Sequence, residues 1–583
     1  MISIRKIAVV LLLGFSLQIS HSNAIAQGKR EIIIEHADNM RNLRINELEV
    51  RRLIGNVVIS HDGTIVHCDS LYDYAGQNRF DAFGNVKVFQ KTGTLYGDTL
   101  RFNGETKQGK VRGKTVRLVD DDVTLITRFL DFETRENTAN FFGGGIITSS
   151  DSARFSSLRG KFFSKEKVAR FAGNVAYRDT SILLNTDSLE YYDEQELIKF
   201  YGPTRIYNDS SYLFCQHGQY NRETQNSEFH GNAFIDNGAQ KVYGNSILYD
   251  SNNGEAKVID EGCVIDTLRN ITIYGNSLYY NQETEYAQAT ENPLAVYTQQ
   301  SDTLYLRADK LIGLTVKDSI KTDSTLHNLL VGVGDVQFFR NDIQGVCDSM
   351  LYHSIDSIMY MHIEPILWNE NNQLTANDVK ILFKNQNISQ MNFNGSSFVA
   401  SQEDSTRFNQ IKGREMVGYF TKGALSKLDI NGNGETVYYI RDKGEIVGVN
   451  KAVSSNLSIG IRDNEVTNIM FRDKPVATLY PIDKAELQNI MVKGFMWHID
   501  KRPKSSQSII PSGLNLSFYK PIEQKANSYR VLKVQPAYSL NDITFGAQDA
   551  INDPDKTIPA NSLEKAGDSK NFEKLEKFNT RLR

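Results

Sequence analysis

The chain has 583 residues, 40% of them hydrophobic and 23% charged, with a formal net charge of −4. That composition belongs to a folded protein, and its slightly acidic balance without a long basic block excludes nucleic acid as a partner. Tyr (27) and Phe (30) are plentiful while Pro (11) and Trp (2) are scarce, which favours strands over helices.

Residues 1–26 read as a signal peptide. Arg5 and Lys6 form its charged start, Ile7–Phe15 its apolar core, and Ala24-Ile25-Ala26 the small residues ahead of Gln27. The apolar run is too short to span a bilayer, and no Cys follows it to mark a lipoprotein. The mature chain is therefore expected to be exported and soluble. Cys68, Cys215, Cys263 and Cys347 lie far apart with no CxxC. They read as small buried side chains rather than a disulfide framework.

A repeat then runs down the chain. A Gly, or its equivalent, opens a short apolar couplet: GNVVI at Gly55, GNVKV at Gly84, GKTVRL at Gly113, GGIIT at Gly144, GNVAY at Gly173, GPTRI at Gly202 and GNAFI at Gly231. The series continues with GCVID at Gly262, NPLAV at Asn292, GDVQF at Gly334, EPILW at Glu364 and GSSFV at Gly395. The first six steps are 29, 29, 31, 29, 29 and 29 residues, and a longer later step carries an insertion near 317–328. A fixed period near thirty marks a repeat architecture.

About fourteen residues after each couplet comes Asp-x-Leu-x-aromatic, as in CDSLYDY, YGDTLRF and NTDSLEYY, and a closing Phe-x-Gly follows, as in ARFAG and SEFHG. Inside each phrase the period is two: Val57 with Ile59, Val86 with Val88, Val116 with Leu118, Thr204 with Ile206, Val336 with Phe338, and Asp187 with Leu189 and Tyr191. Alternation of this kind predicts half-buried strands joined by Gly, Asn and Asp turns. Each unit is read as a few short antiparallel strands that cannot bury their apolar face alone, so the units must stack.

The domain plan is a signal peptide at 1–26, repeats over 27–300, further repeats and variant terminal rungs over 301–481, and a C-terminal region over 482–583. In that last region Leu487, Ile490 and Met491 give 484–495 helical spacing. From about Ser505 the chain turns polar and aperiodic, which predicts a poorly ordered tail, with at most a short helix.

The GNV couplets, the TDSLEYY-type phrase and the Phe-x-Gly closures together resemble the OstA-like family of lipopolysaccharide-transport proteins, which includes LptA and the N-terminal domain of LptD. They cover roughly Glu35 to Pro481, and the long form with many Asn and Tyr is similar to that of Bacteroidota-type bacteria. The resemblance implies an all-β fold, an elongated, stacked antiparallel β-jellyroll with a hydrophobic trough. It implies a periplasmic bridge protein that shields lipid A acyl chains between the inner and outer membranes. Its partners would be lipopolysaccharide, the inner-membrane Lpt complex, an LptD-type translocon, and further copies of itself added head to tail. The first rungs, Ile32 to Ile59, would face the inner-membrane side. About a hundred residues follow Pro481, too few for a translocon barrel. Val57, Ile59, Val86, Val88, Leu100, Val175 and Leu189 are the candidate lipid-lining residues: taken singly each reads better as packed core, and for the set the resemblance favours the trough.

Catalytic and cofactor chemistry finds little support in the residues. Asp69, Asp98, Asp187, Asp309 and Asp348 recur in register and could form a carboxylate ladder for calcium or glycoside cleavage. The plainer reading is that each begins a strand and satisfies turn N–H groups. Asn245 and Asn276 take the same place in two units, and Arg128 in another, which breaks a uniform ladder. HExxH, GxSxG and GxxxxGK[ST] are absent from the sequence. His61 and His67 read as exposed strand residues, and Gly143–Gly145 as a bulge rather than a phosphate site. No cofactor, metal or catalytic residue is expected. The alternatives are a structural or adhesive β-repeat surface protein and a β-helix carbohydrate-active enzyme.

Overall fold

The structure is a computed structural model that describes residues 32–531 apart from short segments, the longest of them 318–325 and 483–489. The expected signal peptide, the first half of the expected helix over 484–495, and residues 532–583 lie outside the described residues. From Met491 to Phe495 the chain runs through turns rather than a helix. The fold is all-β and antiparallel, and its described residues divide into two compact units, one up to residue 177 and one from residue 178.

In the first unit the strands follow one another as a meander. Leu48–His61 pairs with Thr64–Tyr74, that strand with Arg79–Phe89, and so on to Thr138–Ser149 and Arg154–Phe163. Each repeat therefore supplies two long strands, where the sequence pointed to several short ones. The difference lies at the Gly-Asn couplet, which does not end a strand but bends one. Gly55 and Asn56 have φ of +80° and +45°, Gly84 and Asn85 +74° and +47°. The register shifts there, between Ile54 and Val57 and between Phe83 and Val86. Two successive left-handed residues suit Gly, which lacks a Cβ, and Asn, which tolerates that region.

Every long strand thus passes through two half-sheets joined along a line of bulges. In the first unit one half-sheet presents Leu71, Ala82, Leu100, Val111 and Leu130 as successive cross-strand partners, and the other presents Ile59, Val66, Val88, Leu95 and Leu118. Both rows are buried and face each other: a Cβ added at Gly97, on the second half-sheet, would overlap the Val111 side chain on the first. The second unit repeats the plan, and there Gly244 abuts Val258 in the same way.

The left-handed pairs also fix where the repeat phrase begins. They fall at 143–144, 260–261, 291–292 and 363–364. In those units the couplet read from Gly144, Gly262, Asn292 or Glu364 starts one or two residues late, because residues other than Gly carry the positive φ at 260–261, 291–292 and 363–364.

The open ends differ from the interior strands. In the first unit the short strands Ile33–His36 and Asn39–Ile45 both pair with Leu48–His61. In the second, Glu465–Arg472 and Val476–Pro481 both pair with Glu445–Arg462. Ile33, Met40, Val476 and Leu479 are each more than half exposed at these edges (59%, 59%, 64% and 61%).

Residues 490–531 are the described part of the C-terminal region, and they include the helix Tyr519–Val531. They run back over the second unit. Ile490 and Val492 pack on Phe398, Val437 and Val449. Helix Tyr519–Val531 packs on Tyr212, Phe214 and Tyr243 through Ile522 and Ala526. The apolar anchors are sparse in a polar sequence, so composition concealed them. Ile522, Ala526 and Tyr529 nevertheless recur at i, i+4 and i+7, and Pro521 sits in the first helical turn where its missing N–H costs nothing.

Candidate functional site: the interior between the half-sheets

All seven lining candidates are buried. Val57, Ile59 and Val175 are 0% exposed, Val86 1%, Leu100 2%, and Val88 and Leu189 5%. Six of them lie in the first unit and Leu189 in the second. Leu100 belongs to one half-sheet of the first unit; Val57, Ile59, Val86 and Val88 belong to the other. Six of them are thus buried within the first unit and Leu189 within the second, and the interior of the first unit is filled with side chains. Phe80, Phe102, Phe132, Phe141 and Phe162 are among those that close it. A small apolar cavity remains in the second unit between Ile343, Leu367, Leu374, Met391, Val399 and Phe420.

The recurring Asp residues have a mechanical role. Asn85 Nδ2 donates to Asp69 Oδ2 at 2.8 Å, Asn56 Nδ2 to Asp38 Oδ2 at 2.9 Å, and the Lys114 N–H to Asp98 Oδ2 at 2.8 Å. A Cβ added at Gly84, Gly202 or Gly334 would overlap the carboxylate of Asp69, Asp187 or Asp309. Asp69, Asp98 and Asp187 thus sit in mid-strand, over the bulge of the strand they face, whereas Asp38 and Asp309 directly precede the strands Asn39–Ile45 and Lys310–Lys317. The Asp phrase and the Gly-Asn phrase are two halves of one latch. Asp187 is exposed where Leu189 and Tyr191 are buried, so the expected shared face breaks at the latch. Among the described residues no group of three or more His, Cys, Asp and Glu is placed to hold a metal ion.

His61 corrects the sequence reading. It is 8% exposed, two residues beyond Ile59 on the inner face, with its ring edge-on to Phe102 at 5.6 Å. Period two carries it inward in spite of its polarity. The four Cys are free thiols and buried. Burial pushes Cys68, Cys215 and Cys347 up to about 12, and Cys263 further in the same direction. Among the described residues no helix is long and apolar enough to cross a membrane.

Sequence reasoning missed the polar residues that hold the 490–531 segment, because nothing local marks them. Gln373 Nε2 donates to the Met496 carbonyl at 2.8 Å while its Oε1 accepts the His498 N–H at 2.7 Å. Gln410 Oε1 accepts the Val492 N–H at 2.9 Å, and Arg502 donates to Gln344 Oε1. Both Gln373 and Gln410 are buried, so each amide stands in for a strand partner that the segment lacks.

Comparison with known proteins bears on this site. The model of the family described as OstA-like protein matches residues 29–179 and 165–245, a region that contains all seven lining candidates. No curated protein matches the chain. Among solved structures, LptH from Pseudomonas aeruginosa, described as the LptA-homologous periplasmic component of a lipopolysaccharide transport device, matches at 17% identity. The match covers 24% of this chain and 83% of that one with a TM-score of 0.14, too low to carry an argument. From residue 29 to residue 245 the chain is similar to the OstA-like family.

Proposed function

We propose that the protein is a periplasmic bridge component that carries lipopolysaccharide, its lipid A acyl chains held between the half-sheets. The observation that carries this reading is the coincidence of the region similar to the OstA-like family with the facing apolar rows of the first unit, and with the burial of Val57, Ile59, Val86, Val88, Leu100 and Val175 there and of Leu189 in the second unit. An acyl chain in water costs about 0.8 kcal/mol per CH2, so a twelve-carbon chain left unshielded costs roughly 10 kcal/mol. A trough that parts and recloses around such chains offsets that cost without a tight pocket, and lets them slide onward. Because the interior is filled at rest, entry requires the half-sheets to separate along the bulge line.

The partners follow from the edges. The exposed strands at the two ends present unpaired backbone groups and apolar side chains, a template for strand addition. In this reading Ile33–His36 and Asn39–Ile45 meet the inner-membrane complex, and Glu465–Arg472 and Val476–Pro481 meet an LptD-type translocon or another copy.

The test is photo-crosslinking in living cells, with a photoreactive residue at buried Val175 and a control at exposed Arg178. A lipopolysaccharide adduct at Val175 alone is the expected result. No adduct at Val175 or at the other six positions, in a folded exported protein, would leave a structural β-repeat protein as the reading.

A further inference from the structure

The two half-sheets of the second unit differ on their outer faces. Tyr243 and Gly244 are successive residues of Gln240–Asp250 and point to opposite sides. Gly244 looks across the interior at Val258, so Tyr243 looks outward. Its cross-strand partners Phe234 and Cys263, and beyond them Phe214, Tyr274 and Leu294, continue that outer row. Five of these six residues are 0% exposed and Tyr274 is 5%. A sheet face turned away from its own core is buried because residues 490–531 lie over it.

Among the described residues the other half-sheet has no such cover. Its outer face carries Glu228, His230, Ser246, Lys257 and Ile259, all partly or fully exposed, with Ile259 at 44%. The covering segment keeps to one side of the bulge line throughout. It touches Val449, Val437, Gln410, Ala400, Gln373 and Gln344 in its first part. It then touches Tyr274, Tyr243, Tyr212 and Arg205, each on the later half of its strand or its paired equivalent. It crosses the strands nearly one after another, in reverse chain order.

The contacts are directional as well as apolar. Tyr212 Oη donates to the Ala526 carbonyl at 2.7 Å and Tyr274 Oη to the Leu516 carbonyl at 3.1 Å. Arg205 donates to the Tyr529 carbonyl at 2.9 Å, and Arg530 pairs with Asp236 at 2.8 Å. A single segment bonded to many successive strands fixes the spacing and twist between them, because any change in twist moves its anchor points apart.

We propose that residues 490–531 are a clamp that stiffens the half-sheet beneath them, leaving the uncovered half-sheet as the moving wall of the second unit. Resting on the lipid-carrying function proposed above, this wall is the one that parts when an acyl chain enters. The small cavity is lined from both half-sheets, with Val399 on the clamped strand half and Met391 on the free one.

Hydrogen–deuterium exchange on the full-length protein, resolved to single residues by fragmentation, tests this. Amides of 227–230 and 256–259 should exchange about tenfold faster than those of 233–236 and 262–265. Equal rates, or the reverse order, would overturn the clamp. The double variant Gln373→Ala, Ala526→Asp should erase the difference by speeding exchange at 233–236 and 262–265. If the wild-type difference persists in that folded variant, the segment is not its cause. Adding lipopolysaccharide should change exchange in the uncovered half alone, and a change confined to the clamped half overturns the proposal. A persistent asymmetry with no response to lipopolysaccharide would retain the clamp and count against the lipid function.

Discussion

Single residues in this chain are constrained by their neighbours on the next strand more than by their own secondary structure. Gly84 combines a φ of +74° with contact to the Asp69 carboxylate. Gly84→Ala should therefore cost about 2–3 kcal/mol, through backbone strain plus displacement of the Asp69 bond to Asn85, read as a shift in the urea midpoint. Gly63 and Gly76, also at positive φ but with open space around them, should lose less. The four thiols make a second prediction. With Cys68, Cys215 and Cys347 pushed up to about 12 by burial, the folded protein holds them neutral through the ordinary thiol range. Iodoacetamide at pH 8 should label none of them until the chain is unfolded, and then all four. The raised values also fix a sign. Their contribution is fully present below the unfolded thiol value near 9 and is lost as pH rises from there toward 12.

At the scale of elements, the covering helix Tyr519–Val531 is held by a face of only a few apolar residues. Ala526 is 0% exposed, so Ala526→Asp places an unpaired carboxylate in the Tyr212–Phe234–Tyr243 cluster and should cost about 3–5 kcal/mol, read as lost helix signal and a lower Tm. Gln373→Ala should cost about 2 kcal/mol by orphaning the Met496 carbonyl and the His498 N–H. The helix end also carries a pH dependence. Burial would raise the Asp236 carboxyl, but the Gly238 N–H and the Arg530 guanidinium hold it below its usual value of 3.8. A depressed carboxylate contributes stability above its unfolded pKa and loses it as pH falls through the lower folded value. Arg530→Ala should therefore weaken helix docking at neutral pH and make no further difference in strong acid, measured by tyrosine fluorescence across the titration.

For the whole molecule, the exposed apolar edges set the expected behaviour. Met40→Lys with Leu43→Lys places two charges on the strand Asn39–Ile45, which should block strand addition while leaving the fold intact, since both residues are exposed. Sedimentation of the pure protein and co-purification with inner-membrane complexes measure this. Unchanged association in that variant would mean that this edge is not the docking edge.

The sequence by itself determined the repeat, the strand period and the all-β class, because each rests on spacing within thirty residues. Val57, Ile59, Val86 and Val88 were legible as one inward face for that reason, and the four Cys were legible as small buried side chains from their isolation, though their free state was not. His61 was misjudged because polarity was weighed above period, and the couplets at Gly262, Asn292 and Glu364 were misplaced because residues other than Gly took the left-handed turn. What only the tertiary structure decided is the pairing of partners far apart in the chain: Asp69 with Gly84 and Asn85 on the next strand, Gln373 with Met496 and His498, Tyr212 with Ala526. Local pattern specifies which way a side chain points, whereas the identity of what it meets depends on how distant strands and the returning chain are brought together.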